Sequence, residues 1–209
     1  MKSDTFFSLL DSTISCNIPS FSSSAVIVAG GNGQGASAQQ LNLPYGLFIG
    51  SNNSVYIGDV GNDRIQVWPS GATSGITLAG GQGFGSSSTQ VDGARDIYVN
   101  STSNSLLVLD SGNQRIQQYD LTSNSIVGTT IMTNLPLSCR NFFVEQTNNI
   151  IYLSDMYNHQ VLRMPNATIL AGGNGFGSQA NQLYYPAGIY VTSTETIYIA
   201  DSFNDRIQM

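Results

Sequence analysis

Four copies of an aspartate followed three residues later by an asparagine are the residues here best spaced for chemistry. They are Asp59 with Asn62, Asp110 with Asn113, Asp155 with Asn158 and Asp201 with Asn204. A carboxylate and an amide oxygen at that spacing could ligate a hard cation. The set lacks the alternating acidic ligands and the terminal bidentate Glu of a calcium loop. Turn chemistry uses the same residues differently: Asp accepts turn N–H groups, and Asn tolerates the left-handed conformation that closes a hairpin. An arginine follows in three copies, Arg64, Arg115 and Arg206, and can pair with a nearby carboxylate. Recurrence in every copy assigns the set to scaffold, and no metal is expected.

Other candidate chemistry is sparse. The sole histidine, His159, stands inside the third copy's turn, and one histidine cannot supply a multi-histidine zinc site. Cys16 and Cys139 match no zinc spacing and have no His partner by sequence; they either pair with each other or stay free thiols. Gly30-Gly31-Asn32-Gly33, Gly80-Gly81-Gln82-Gly83 and Gly172-Gly173-Asn174-Gly175 have neither phosphate-loop spacing nor a following helix, so they read as turns. No nucleophile elbow is present. The expectation is a non-enzymatic chain without a cofactor.

The elements that position these residues repeat. Tyr56 to Asp59, Leu107 to Asp110, Tyr152 to Asp155 and Tyr198 to Asp201 are equivalent apolar runs, and their aspartates recur at intervals of 45 to 51 residues. Upstream of each lies another apolar run, Leu47 to Ile49, Ile97 to Val99, Phe142 to Val144 and Ile189 to Val191. Three copies of a further strand, at Val26 to Val28, Ile76 to Leu78 and Thr168 to Leu170, run into the glycine strings. The second repeat lacks its string. Four short strands per unit, rich in Ile, Val, Tyr and Phe, predict an all-β fold, a β-propeller containing four such repeats. Residues 24 to 209 form the propeller, and residues 1 to 23 read as an irregular N-terminal segment. The repeats begin on a fourth-type strand, 25 to 29, and stop after a third-type strand at Ile207-Gln208. Two arrangements follow: a four-bladed ring closed by that N-terminal strand, or part of a larger propeller, six-bladed for example.

The unit resembles the NHL repeat. Pro186-Ala187-Gly188-Ile189, Ile199-Ala200-Asp201, Asn204 and Arg206-Ile207-Gln208 carry the resemblance best, with Pro44-Tyr45-Gly46-Leu47, Asp59, Asn62 and Arg64 close behind. Repeats two and three depart from it: Ala94 and Cys139 replace Pro, Asp96 and Asn141 replace Gly, and Gln160 replaces Arg. The resemblance implies a binding propeller, with a protein as the leading partner. It also admits RNA-binding repressors, the recognition part of tripartite-motif ubiquitin ligases and, further off, a peptide-amidating lyase.

Arg95-Asp96 and Arg140-Asn141 stand where the other repeats have Tyr45-Gly46 and Ala187-Gly188, at the start of the innermost strand. All four are candidate ligand contacts at the channel mouth, or else pair with one another. Asn52, Asn100 and Asn166 begin N-x-S/T sequons, candidate glycosylation sites compatible with secretion.

Composition narrows the partners. Charged residues are only 10% of the chain, net charge is −6 and the pI is about 4.3. Such a chain is poorly suited to phosphate backbones, so nucleic acid is not expected as a partner. No apolar run is long enough for a membrane span. The N-terminus, Met1-Lys2 followed by Phe6 to Asp11, is a poor signal peptide, which leaves extracellular and cytoplasmic settings both open.

Overall fold

A computed structural model describes residues 24–145 and 148–209. The expected N-terminal segment and Cys16 lie outside the described residues. Three antiparallel sheets have four strands each: β1 to β4 (Pro44–Ile49, Val55–Asp59, Arg64–Trp68, Ile76–Gly80), β5 to β8 (Ala94–Asn100, Ser105–Asp110, Arg115–Asp120, Thr129–Met132) and β9 to β12 (Cys139–Glu145, Ile150–Asp155, Gln160–Arg163, Thr168–Gly172). The fourth has three strands, β13 to β15 (Pro186–Val191, Ile197–Asp201, Arg206–Gln208). Within each sheet the strands follow chain order, as in propeller blades. First strands of neighbouring blades touch, β1 with β5, β5 with β9 and β9 with β13, so they line the channel. The stretch 25–29, the closing strand in one of the two expected arrangements, belongs to no sheet.

Strand alternation builds the core between blades. Ile65, Ala79, Val91, Ala94, Ile97 and Val99 cluster across the first and second blades. Tyr152, Val161, Leu183, Ile189 and Val191 do the same across the third and fourth. Each fully buried Ile or Val of this kind contributes about 1.5–3 kcal/mol.

The Asp–Asn–Arg set fixes each blade to the loop that precedes it. Asp59 is fully buried; its carboxylate accepts from the Asn42 amide at 2.7 Å, Asn62 Nδ2 at 2.8 Å and Arg64 Nε at 2.7 Å. The rest of the Arg64 guanidinium donates to the carbonyls of Ala36, Ser37 and Gln40. Asp110 with Arg115 grips Ser86, Ser87 and Gln90 in the same way, and Asp201 with Arg206 grips Ser178, Gln179 and Gln182. The third blade is the exception: Gln160 and Asn158 donate to Asp155, and Ser138 takes the place of the loop amide. Here two sequence departures prove to be one. The glycine-string loop is missing before this blade, so an arginine would have no carbonyls to hold.

The left-handed turn residue is the one after the expected asparagine: Asp63, Gln114, His159 and Asp205 have φ of 49°, 52°, 55° and 52°. Asn62 instead spends its amide as a bridge from Asp59 to the Gly35 carbonyl. The glycine strings are turns, as expected. A Cβ on Gly80, at φ +68°, would lie 2.2 Å from the Asp63 carbonyl, and Gly172 meets His159 in the same way.

Removing one partner of a buried ion pair strands the other charge. Asp110→Ala is therefore expected to cost about 3–5 kcal/mol in urea denaturation. Asp155→Ala loses neutral donors only and should cost about 1–3 kcal/mol. Equal losses at the two sites would contradict this ranking.

Candidate binding face at the channel mouth

Strand register divides the molecule into two faces. Pro44 pairs with Asp59 and Ala94 with Asp110, so first-strand starts and second-to-third-strand turns share one face, the mouth. Ile49 pairs with Val55 and Arg163 with Thr168, so the other hairpin turns lie on the opposite face. The three sequons occupy that opposite face. Asn52 Oδ1 accepts from the Ser54 amide and Asn100 Oδ1 from those of Thr102 and Ser103, while Asn166 is exposed in the turn before β12.

The four mouth residues separate into two pairs. Asp96 and Asn141 are staples between first strands. The Asp96 carboxylate accepts from Asn141 Nδ2 at 2.6 Å and from the Phe142 amide at 2.9 Å, and Asn141 Oδ1 accepts from the Ile189 amide at 3.0 Å. Where the first blade has Gly46, no staple fits: a Cβ there would lie 2.5 Å from the Arg95 carbonyl. Burial pushes the Asp96 carboxyl up to about 6, against the opposing pull of its hydrogen bonds.

Arg95 and Arg140 do something else. Neither is among the three ion pairs of the described residues. Arg95 Nε donates to Ser111 Oγ at 2.9 Å, and an Arg140 Nη approaches the Tyr157 hydroxyl at 3.5 Å. Burial, and then the charge of Arg140, hold the Arg95 guanidinium below its usual range. Two cations thus face one mouth without a carboxylate between them.

An aromatic cluster continues from Arg140. Tyr157 meets Tyr185 edge-on at 5.8 Å, and Tyr185 lies 4.7 Å from Phe203 and 5.0 Å from the His159 ring. Phe176 and Tyr184 pack against His159 as well. Tyr157, Phe176 and Phe203 remain largely exposed. The turn histidine, expected to face solvent, is half-buried; its Nδ1 accepts from the Tyr185 amide at 3.2 Å, which fixes the Nε2–H tautomer of the neutral ring. The sequence concealed this cluster because its rings come from three separated loops, each placed by a clamp. Tyr184-Tyr185 beside Pro186 was the available signal.

Cys139 is a free, fully buried thiol, pushed up to about 12 by burial and then by the Asp155 charge, which makes it a poor nucleophile. No group of three or more His, Cys, Asp or Glu side chains suited to a metal occurs among the described residues. No helix among them is long and apolar enough to cross a membrane.

Solved structures share the architecture. A streptogramin B lyase matches 78% of this chain and 50% of its own, at 15% identity and a TM-score of 0.54. A chain of a nidogen/laminin complex matches 75% of this chain and 56% of its own, at 16% identity and a TM-score of 0.56. An auxiliary nutrient binding protein from Bacteroides thetaiotaomicron VPI-5482 matches 75% and 44%, at 16% identity and a TM-score of 0.55. The chain therefore has a β-propeller fold and spans about half the length of these propellers. No protein-family model and no curated protein matches it.

The staple gives a pH signature of defined sign. The folded state holds the Asp96 proton more tightly than the unfolded chain, so this contribution is present below about pH 4 and lost as pH rises through about 6. Relative to Asp96→Asn, the wild-type protein should lose up to about 3 kcal/mol across that window. Parallel stability curves for the two proteins would contradict the assignment.

Proposed function

We propose that the chain is an NHL-type propeller that acts without catalysis, as a platform for a protein partner bound at the channel mouth. The observation that carries this reading is the pair of unpaired guanidinium groups, Arg95 and Arg140, continuous with the exposed rings of Tyr157, Phe176 and Phe203. Arginine and aromatic side chains are the groups that anchor protein interfaces, combining large contact area with directional hydrogen bonds. The fitting partner segment carries a carboxylate to lie between the arginines and an apolar side chain to rest on the rings. A propeller suits this role because its blades hold the loops rigid while the loops themselves differ.

RNA shares the taste for arginine and aromatic rings. The cation count favours protein. Arg64, Arg115 and Arg206 are spent in the clamps, and Arg163 lies at the opposite end of β11. Two free guanidinium groups are too few to follow a phosphate backbone. Secretion is compatible with this reading, since glycans at Asn52, Asn100 or Asn166 would leave the mouth clear.

Selection of a random peptide library on the immobilised chain is expected to enrich sequences with Asp or Glu beside an aromatic or aliphatic residue. Their affinity should fall about tenfold or more in the Arg95→Glu, Arg140→Glu double variant and in Tyr157→Ala. Peptides that bind these variants as tightly as the wild-type protein, or tighter binding of oligouridine than of any peptide, would overturn the reading.

A further inference from the structure

Repeat symmetry lets each junction between blades be compared with its equivalents, and the junction of the second and third blades differs. Three residues before each buried aspartate, the second strand carries Tyr56, Leu107, Tyr152 or Tyr198. Tyr56 packs against the cluster that holds Ala94, Ile97 and Val99 of the next blade, and Tyr152 is buried with Ile189 and Val191. Leu107 is buried with Val144 and Ile151 of its own next blade. It brings an isobutyl group where Tyr56 and Tyr152 bring a phenol ring. A cavity of about 330 Å³ opens beside it.

Cross-strand pairs build the walls of this cavity. Leu107 stands opposite Gln118 on the second blade and Val144 opposite Ile151 on the third, with Ile131 alongside. Residues paired in this way project from one face of a sheet, so Gln118 shares the junction with Leu107. Its counterpart opposite Tyr56 is Val67, a buried apolar residue. Gln118 is half-buried, and its side-chain amide has no hydrogen-bond partner among the described residues. Ser103 and the buried Ser105 line the same cavity, their hydroxyls 2.8 Å apart. One hydroxyl donates to the other, which leaves one O–H to donate and lone pairs to accept. No charged side chain lines the cavity among the described residues. Aliphatic walls with a few convergent neutral polar groups are the makings of a small-molecule site.

We propose that this cavity binds a small, uncharged aromatic molecule carrying a single hydroxyl or amide group. Its ring rests against Leu107, Ile131, Val144 and Ile151, supplying what Tyr56 and Tyr152 supply at the neighbouring junctions. Its polar group exchanges hydrogen bonds with the Gln118 amide and the Ser103–Ser105 pair. The volume lies at the lower end of the range for ligand pockets and suits a molecule of one or two rings. A carboxylate on the same ring would lose its hydration in a site that offers no opposite charge. The cavity lies between the two middle blades, on the face of the hairpin turns at 100–105 and 145–150. That face is opposite the mouth, so the site stands apart from Arg95 and Arg140.

Methyl-resolved NMR titration of the full 209-residue chain decides it, with para-cresol, toluene and para-toluate as probes. The protein is made without glycans, because Asn100 also lines the cavity. Para-cresol should shift the methyl signals of Leu107, Ile131, Val144 and Ile151, with a Kd below about 1 mM. Toluene, which lacks the hydroxyl, should bind about threefold to tenfold more weakly. Para-toluate should bind more weakly than either. Gln118→Val, the residue of the first blade, should weaken para-cresol about threefold or more without weakening toluene. Leu107→Tyr, which restores the ring of the other blades, should abolish binding of both with unchanged circular dichroism. Absence of methyl shifts at millimolar para-cresol would overturn the proposal, and so would undiminished binding by a folded Leu107→Tyr protein. Equal weakening of para-cresol and toluene in Gln118→Val, or para-toluate binding as tightly as para-cresol, would refute the neutral polar contact.

Discussion

A buried carboxylate at the end of each second strand is the constraint on which the rest of this structure depends. Asp59, Asp110, Asp155 and Asp201 are all fully buried, and an isolated charge in such a place would be prohibitively costly. Three are matched by a loop amide from upstream and Asp155 by the Ser138 hydroxyl; all four take the asparagine three residues on and, in three blades, an arginine. Because the arginine's remaining N–H groups go to loop carbonyls, charge neutralisation and loop placement become the same event. A chain with few surface charges has invested half of its six arginines in this one device.

The device explains what could be seen in the sequence and what could not. Period, strand order and the scaffold role of Asp59 and its equivalents were legible because each recurs, and recurrence exposes a structural need. The coupling between the missing glycine string and Gln160 was visible as two departures, but its cause required the Arg64 contacts to Ala36, Ser37 and Gln40. Arg95 and Arg140 stood out as breaks in the repeat at the correct end of the innermost strand. Their neighbours Tyr157, Tyr185 and Phe203 did not, since nothing in one dimension brings three loops together.

The same logic separates structural from free polar groups. Asp96 and Asn141 replace glycines yet serve the scaffold, each reaching the next blade's first strand across a gap that Gly46 closes by direct backbone approach. Arg95 and Arg140, one residue earlier, gain no carboxylate. Binding capacity at the mouth is thus what remains after the scaffold has been satisfied.

Hydrogen exchange in the native state tests the central role of the buried carboxylates most directly. The amides of Asn42, Asp92 and Tyr184 lie in loops but donate to Asp59, Asp110 and Asp201 at 2.7, 2.8 and 2.6 Å. The account predicts that they exchange as slowly as the amides of β2, β6 and β14, opening only with the blades themselves. Exchange as fast as that of the hairpin turns at Ser51 and Ser101 would contradict it, and would mean that the loops at the mouth are held by something other than the clamps.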